Sequence, residues 1–219
     1  MKTLIQASTL NALMLGNFDK TVSVKDFLHH ADTGIGTYTG LDGEAIFEDG
    51  VAFGAVAKFD ESVREVELKN ISDIETLKQA LEPYVKEDQN IFYMIKAKGV
   101  FKTMHVRSCF ASEKPYPTLS EVAQDQREFH FENTRGDVIA VWCPKYVNGI
   151  KLPGWHFHYL SGDKTQGGHI LGLSSDDLRV KINKIERFDL TLPQNPEFAK
   201  RDLCEDLSAK TAAVEGAKK

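Results

Sequence analysis

The sequence predicts a mostly β fold with a few α-helices, an α+β class built from two packed parts that each contain a sheet. Short apolar or alternating runs recur along the chain, glycine-rich turns separate them, and clear helical spacing is confined to residues 23–30 and 72–85. With 219 residues the chain can bury a substantial core. We expect residues 1–125 to form an N-terminal β-rich half with helices and residues 126–219 to form a C-terminal β half, packed together as one structural unit.

Composition and charge exclude several classes of partner. The net charge is −5 with acidic and basic residues mixed along the chain, so there is no basic stripe to follow nucleic-acid phosphates. Polar residues interrupt the apolar N-terminal residues, which argues against a signal peptide or a membrane span and predicts a cytoplasmic protein. Cys109, Cys143 and Cys204 are widely spaced and odd in number, so we predict reduced thiols rather than disulfides or a thiolate metal site.

The two helical segments of the N-terminal half carry no predicted chemistry. Residues 23–30 form a short predicted helix that ends at His29 and His30, where positive charge is favourable near the helix dipole, so these two histidines are not assigned as ligands. Residues 72–85 have apolar residues at helical spacing, with Ser72 as the candidate N-cap, and predict a packing helix.

The remaining N-terminal segments read as strands. A hairpin is predicted around the turn at residues 40–43, and the charged residues 61–69 are predicted as a solvated connection or an edge. His105 and Arg107 lie two apart and therefore on one face of a strand; such an arginine is either a surface charge or a group that binds a substrate carboxylate. The predicted strands cover residues 34–39, 45–47, 51–59, 90–98 and 100–111.

The C-terminal half continues with strands and ends in a polar tail. The sequence predicts a second hairpin turned at residues 134–137. For residues 197–219 a marginal helix, an ordered tail and a disordered segment all remain open, and composition favours a solvated tail. The predicted strands cover residues 128–133, 138–143, 155–160, 170–173 and 180–192.

Three of the seven histidines lie in one short segment of this half. His156 and His158 project from the same face of a strand, and the turn residues that follow can bring His169 beside them. Three nitrogen ligands with an open fourth position are typical of catalytic zinc, which we expect between the sheets or at their edge. The alternative is that each histidine is packed or exposed without a metal.

Three blocks of the sequence form a specific pattern. One links residues 95–101 through Arg107 to residues 114–117. The other two read Phe27-Leu28-x-x-x-Asp32-x-Gly34-Ile35-Gly36-Thr37-x-x-x-Leu41-Asp42-Gly43-Glu44 and Gly154-x-His156-x-His158-x-Leu160-Ser161-x-Asp163-x-x-x-Gly167-Gly168-His169. In their order and spacing these blocks resemble the α-acetolactate decarboxylase family, and the resemblance covers the chain from about residue 13 to about residue 190.

The resemblance implies a function and a set of site residues. It implies zinc bound by the three histidines, conversion of 2-acetolactate to acetoin and CO2, and a homodimer. It implies that Glu44 and Arg107 are catalytic, that Thr37 and Leu41 line the substrate pocket, and that a glutamate of the C-terminal tail, best matched by Glu215, reaches the metal.

The chemistry of the proposed substrate is consistent with this set. Loss of the carboxylate from a 2-hydroxy-3-oxo acid leaves electrons on the adjoining ketone as an enediolate, which zinc would stabilise as a Lewis acid without an organic cofactor. Arg107 would orient the carboxylate or the developing oxyanion, and Glu44 would relay the proton to carbon.

Two other classes of protein are compatible with parts of the sequence. A cupin-type oxygenase or isomerase also has a His-x-His pair in a β-rich chain, but a glutamate ligand is expected a few residues later, where Tyr159 to Asp163 stand here. A non-enzymatic β module with a structural metal or none is the other alternative.

Overall fold

A computed structural model describes residues 2–23, 25–26, 29, 31–48, 55–59 and 63–215. Within these ranges the chain forms ten strands in two five-stranded sheets, with short helices around them. The predicted mostly β fold with a few helices is confirmed. Among the described helices, none has the length and apolar character needed to cross a bilayer.

The first sheet has the strand order β10-β1-β4-β2-β3. Strands β1 and β10 pair in parallel, and the other neighbours are antiparallel. The antiparallel pair β2 and β3 is the hairpin predicted around residues 40–43. The strands are β1 (Thr3–Ala7), β2 (Thr33–Thr37), β3 (Glu44–Glu48), β4 (Ala55–Ala57) and β10 (Arg187–Thr191).

The second sheet has the order β5-β9-β6-β7-β8, and one end of β9 also pairs with β8. Strands β6, β7, β8 and β9 therefore close on one another, and β5 is left as an edge strand, one of the two outcomes predicted for residues 61–69. The strands are β5 (Arg64–Ile71), β6 (Phe92–Ser108), β7 (Arg127–Cys143), β8 (Gly154–Ser161) and β9 (Gly167–Ile185).

In the described ranges, five helices and three 3-10 turns lie between the strands or after the last of them. The helices are α1 (Leu10–Met14), α2 (Ile74–Val85), α3 (Leu119–Val122), α4 (Pro196–Lys200) and α5 (Ser208–Glu215). The 3-10 turns are Thr39–Leu41, Ala123–Asp125 and Lys145–Val147.

The two sheets pack face to face, and the second sheet is also covered on its other face. Leu4 and Ile35 of the first sheet share a buried cluster with Met94 of β6. The neighbouring Ile95 points the opposite way and packs with Leu81 of α2, because successive side chains alternate across a strand. Strands β6 to β9 are therefore buried on both faces over much of their length.

Two predicted interruptions of the second sheet are wrong. The predicted hairpin turn at residues 134–137 lies inside the continuous strand β7, and the two strands predicted on either side of Gly99 are one strand, β6. Gly99 and Gly136 are opposite each other in the β6–β7 register. An ideal Cβ at Gly99 would lie 2.7 Å from the carbonyl oxygen of Asp177, so glycine serves close approach of strands here rather than a turn.

Other boundaries are also corrected. Asp73, not Ser72, is the N-cap of α2, since its carboxylate accepts from the backbone N–H of Thr76 at 2.7 Å. The strands predicted over residues 170–173 and 180–192 are the long strand β9 followed by β10. The C-terminal segment is not a solvated tail, because it contains α4 and α5 and buries part of its apolar surface.

Some predictions fall wholly or partly outside the described residues. Half of the residues of the helix predicted over residues 23–30 lie outside them, although the Ser23 hydroxyl does accept from the backbone N–H of Asp26 at 3.2 Å. Of the strand predicted over residues 51–59, the described part contains β4. The division at residue 125 stays a prediction; β6 and β7, on either side of it, pair within one sheet.

Candidate metal centre and active site

The β8–β9 hairpin brings the three predicted histidines together. His156 and His158 share one face of β8, and His158 pairs in register with His169 of β9. The Nε2 atom of His156 lies 3.0 Å from Nε2 of His158 and 3.0 Å from Nδ1 of His169. The donor atoms of all three rings lie within 4.8 Å of one another.

The chemistry of this donor set fits a metal ion. Burial lowers the pKa of His156 to about 3 and lowers the pKa values of His158 and His169 well below the ordinary value. Arg107 contributes to all three shifts, and Lys151 contributes to those of His156 and His158. The rings are therefore neutral, which is the state that binds metal. Tetrahedral zinc with bonds of about 2.0–2.1 Å holds nitrogen ligands roughly 3.3 Å apart, close to the observed separations.

Glu44 reaches the histidines from the first sheet. It begins β3 directly after the turn that closes the β2–β3 hairpin, where the hydroxyl of Thr37 donates to the carbonyl oxygen of Gly43 at 2.8 Å. Its Oε2 atom lies 3.7 Å from Nε2 of His158. Burial raises the pKa of Glu44 to about 8, an effect that Arg107 opposes.

Glu215 reaches the same histidines from the C-terminal helix α5. Its Oε2 atom lies 3.7 Å from Nε2 of His156 and 3.6 Å from Nε2 of His169. Burial raises the pKa of Glu215 to about 7 against the opposing charges of Arg107 and Lys151. This oxygen is buried without a hydrogen-bond partner among the described residues, as expected for a group that faces an ion site.

Arg107 is buried beside these groups rather than exposed on the sheet surface. It pairs in register with His169, and its Nη1 donates to the side chain of Gln126 at 2.9 Å and to the carbonyl oxygen of Val214. In the described part of the chain its Nε has no hydrogen-bond partner. The Nη1 group of the guanidinium is therefore held by the protein, and the Nε–H remains available as a donor.

A cavity of about 180 Å³ opens onto the site. Its lining includes Thr37 and Leu41, the two residues predicted to line the pocket, together with His156, Lys151 and Glu215. The structure thus gathers every residue predicted for the site from β2, β3, β6, β8, β9, α5 and the turn after β2. Their chemical roles stay predictions.

Two residues near the site were not predicted from the sequence. Lys151 lines the cavity, and its partial burial lowers its pKa. A single lysine between Ile150 and Leu152 is the one sequence signal that could have indicated it. Gln126 holds Arg107, but nothing in its sequence neighbourhood distinguishes it from an exposed polar residue.

Comparisons with known proteins give a consistent family match. A family profile described as alpha-acetolactate decarboxylase matches residues 4–71 and 51–205. The alpha-acetolactate decarboxylase of Brevibacillus brevis is 35% identical over 99% of this chain and 82% of its own length. The proteins of the same name from Methanosarcina mazei and Lactococcus lactis subsp. cremoris are 32% and 34% identical, over 97% and 91% of this chain and 80% and 92% of their own lengths.

Solved structures agree with the sequence matches. The crystal structure of alpha-acetolactate decarboxylase from Bacillus subtilis strain 168 matches with a TM-score of 0.90 at 26% identity, covering 98% of this chain and 100% of that one. A Staphylococcus aureus protein described as similar to alpha-acetolactate decarboxylase matches with a TM-score of 0.89 at 28% identity, covering 97% and 100%. The likeness therefore extends over both sheets.

Proposed function

Because the chain belongs to the α-acetolactate decarboxylase family and is therefore a carboxy-lyase, we propose that it converts 2-acetolactate to acetoin and CO2. The observation that carries this proposal is the convergence of three neutral histidines with Glu44, Arg107 and Glu215, next to a cavity that two of these residues, His156 and Glu215, line. In the reaction the bond to the carboxylate carbon breaks, CO2 leaves, and one proton is added to the carbon that carried the carboxylate.

His156, His158 and His169 hold one Zn²⁺ ion in this proposal. Three nitrogen ligands leave a position open, which distinguishes a catalytic from a structural zinc site. When bound, zinc supplies a Lewis acid for the hydroxyl and ketone oxygens of the substrate. The two flanking carboxyl groups, Glu44 and Glu215, lie close to the ligands and would add negative charge there in the ionised form that a bound cation favours.

Arg107 binds the substrate by attracting the negative charge of the substrate. Its guanidinium is buried and partly held by Gln126, so its direction is fixed before substrate arrives. The Nε atom without a protein partner supports contact with an anionic oxygen, either of the carboxylate or of the oxyanion that develops as CO2 leaves.

Glu44 holds and moves the proton. Its carboxyl lies beside His158 on the side of the first sheet, so it is positioned to protonate the carbon after CO2 has left. Thr37 fixes the turn before Glu44 through its bond to Gly43, and Leu41 supplies an apolar wall against the methyl groups of the substrate. Glu215 closes the opposite side of the ligands and excludes water from them.

An acetoin assay on racemic 2-acetolactate tests the function. We expect rapid acetoin formation by the zinc-loaded protein, loss of that activity after chelation, and recovery when Zn²⁺ is added back. If the zinc-loaded protein leaves acetolactate to its slow spontaneous decay, the proposed function is wrong. Bound iron with oxygen uptake during turnover would instead support a cupin-type oxygenase.

The assembly and cellular location belong to the same proposal. We expect a homodimer in the cytoplasm, as the resemblance to the family implies. Light scattering on the purified protein tests the first part, with a mass of twice the 24.5 kDa chain expected and the mass of a single chain contradicting it.

A further inference from the structure

A second cluster of metal-binding side chains lies on the exposed part of the second sheet. It consists of His105 of β6 with Glu128 and His130 of β7, whose donor atoms all lie within 4.8 Å of one another. Nε2 of His105 is 2.8 Å from Oε2 of Glu128, and the two imidazole rings stack with centroids 4.0 Å apart. None of these residues belongs to the three-histidine centre.

The backbone fixes the positions of these residues. His105 and His130 are direct cross-strand partners, and Glu128 lies two residues from His130, on the same face of β7. Paired strands change little in spacing, so the three side chains stay close whatever rotamers they adopt. A site built on such strands is more precise than one built on a loop.

The Glu128 carboxylate is oriented toward His105 by a hydrogen bond on its other side. Gln126 donates from its Nε2 to Oε1 of Glu128 at 3.0 Å, while its own Oε1 accepts from Arg107 at 2.9 Å. This leaves Oε2 of Glu128 facing the imidazole. Metal-binding carboxylates are commonly held by such outer hydrogen bonds, which raise affinity by fixing ligand direction.

Space and access are available for an ion. Gly172 of β9 stands opposite His105, and an ideal Cβ there would meet, among the described residues other than its chain neighbours, only the His105 Cβ, at 3.8 Å. The side chains of His105 and Glu128 are 26% and 33% exposed to solvent, so an ion can reach them. The donor atoms around a zinc ion lie roughly 3.3 Å apart. Here Nε2 of His105 and Oε2 of Glu128 are 2.8 Å apart, and no two donor atoms of the three residues are more than 4.8 Å apart, so the distances bracket that value.

We propose that His105, Glu128 and His130 bind a divalent transition-metal ion, with water completing the coordination. Two imidazoles and one carboxylate form a donor set for Zn²⁺ and for neighbouring ions such as Cu²⁺ and Ni²⁺. The site takes a second ion per chain and does not depend on the proposed decarboxylase activity.

Equilibrium dialysis of the full-length protein against Zn²⁺, with the metal content of the protein measured at each free concentration, tests this site. We expect two ions per wild-type chain. In His130→Ala and in His105→Ala the affinity of one of them should fall at least about tenfold, since even the loss of an outer partner costs 10–100-fold. His29→Ala removes an exposed histidine outside the cluster and should leave both ions bound.

The three-histidine centre is tested separately in the same experiment. His158→Ala should lose the other ion and keep the one at the surface. If wild type binds a single ion that His158→Ala loses, or if both His130→Ala and His105→Ala bind two ions with wild-type affinities, the surface site is refuted. Circular dichroism confirms folding of each variant, and neither result depends on whether acetoin is formed.

Discussion

At the residue scale, the burial of two carboxyls in the candidate active site outweighs the effect of the two cations beside them. Burial raises the pKa of Glu44 to about 8 and that of Glu215 to about 7, although Arg107 opposes both shifts and Lys151 opposes the second. The three histidines contribute no charge, because burial lowers their pKa values. A divalent cation among them would add positive charge and favour the ionised form of both carboxyls.

Removing the side chain of Arg107 should impair catalysis without releasing metal. We expect Arg107→Ala to lower kcat/KM by roughly 10²–10³, the size measured for loss of one preorganised oxyanion donor, and to retain zinc. Acetoin kinetics and metal analysis on the same preparation give both values. Arg179→Ala, an exposed arginine of β9, is the matched control and should keep wild-type kinetics. Full activity of zinc-bound Arg107→Ala would remove Arg107 from the proposed mechanism.

Glu44 can be tested by a change that keeps its size and removes its proton chemistry. Glu44→Gln should keep zinc and lower kcat by roughly 10²–10⁴, the usual contribution of a positioned general acid or base. Glu65→Gln, an exposed change on the edge strand β5, should have no effect on kcat. A Glu44→Gln enzyme with unchanged kcat would assign the proton step to another group.

The sequence indicated the site residues to different extents. The two-residue period of a strand and one turn are local features, so they were enough to predict that His156, His158 and His169 meet. Glu44 came from the resemblance, because no local pattern relates residue 44 to residue 158. The strand position of Arg107 left a surface charge and a substrate-binding role open, and the resemblance favoured the second. Gln126 was not found, since its role depends on long-range contacts.

At the element scale, α5 links the end of the chain to the site. Val214 and Leu207 pack into a buried cluster with Leu119 of α3, and the carbonyl oxygen of Val214 accepts from Arg107. Composition favoured a solvated tail because these apolar residues are few and surrounded by charges. Their partners lie far away in sequence, so their burial was not visible from the tail alone.

Deleting residues 208–219 tests whether α5 is needed for activity but not for folding of the two sheets. We expect the strand signal in far-ultraviolet circular dichroism to remain, because the described part of the deleted segment, residues 208–215, is helical and belongs to neither sheet. We expect kcat/KM to fall by at least roughly 10², because the deletion removes Glu215 and one acceptor that holds Arg107. Lys210→Ala, a change at an exposed position of α5, is the control. Wild-type activity of the truncated protein would show that Glu215 is not needed.

The β9 strand lies against β6 at Gly168, directly before His169, with no room for a side chain. An ideal Cβ there would lie 2.6 Å from the carbonyl oxygen of Arg107 and 3.1 Å from Cβ of Val106. Gly168→Ala should therefore push the strands apart and cost about 1–3 kcal/mol of stability. Gly172→Ala on the same strand meets only ordinary contact and serves as the control. In thermal melts Gly168→Ala should have a lower Tm than Gly172→Ala, and equal Tm values for the two variants would contradict the clash.

Predicting the long strands required more than local patterns. Thr134, Arg135, Gly136 and Asp137 have the composition of a turn, but each pairs with a residue of β6 and continues the strand. Pairing over a long register outweighs weak local turn preference. Short elements with a local cause, such as the β2–β3 hairpin and its glycine turn, were predicted correctly.

At the scale of the whole molecule, the site joins parts that fold from distant segments. The first sheet supplies Glu44, the second supplies Arg107 and the histidines, and the end of the chain supplies Glu215. The mostly β class followed from composition and periodicity. The packing of one sheet on the other did not, because it depends on which faces of β6 and β7 are apolar along their full length.

Metal binding should therefore stabilise the entire fold. An ion that binds only the folded chain adds about 2.7 kcal/mol at 100 times its dissociation constant, which raises Tm by roughly 5–10 °C for a chain of this size. We expect chelation to lower Tm by this amount and added Zn²⁺ to restore it. His158→Ala should melt near the chelated protein and gain much less from zinc, since its ligand set at this centre is incomplete. Equal Tm values for the chelated and zinc-loaded wild type would show that the three histidines do not bind zinc in the folded protein.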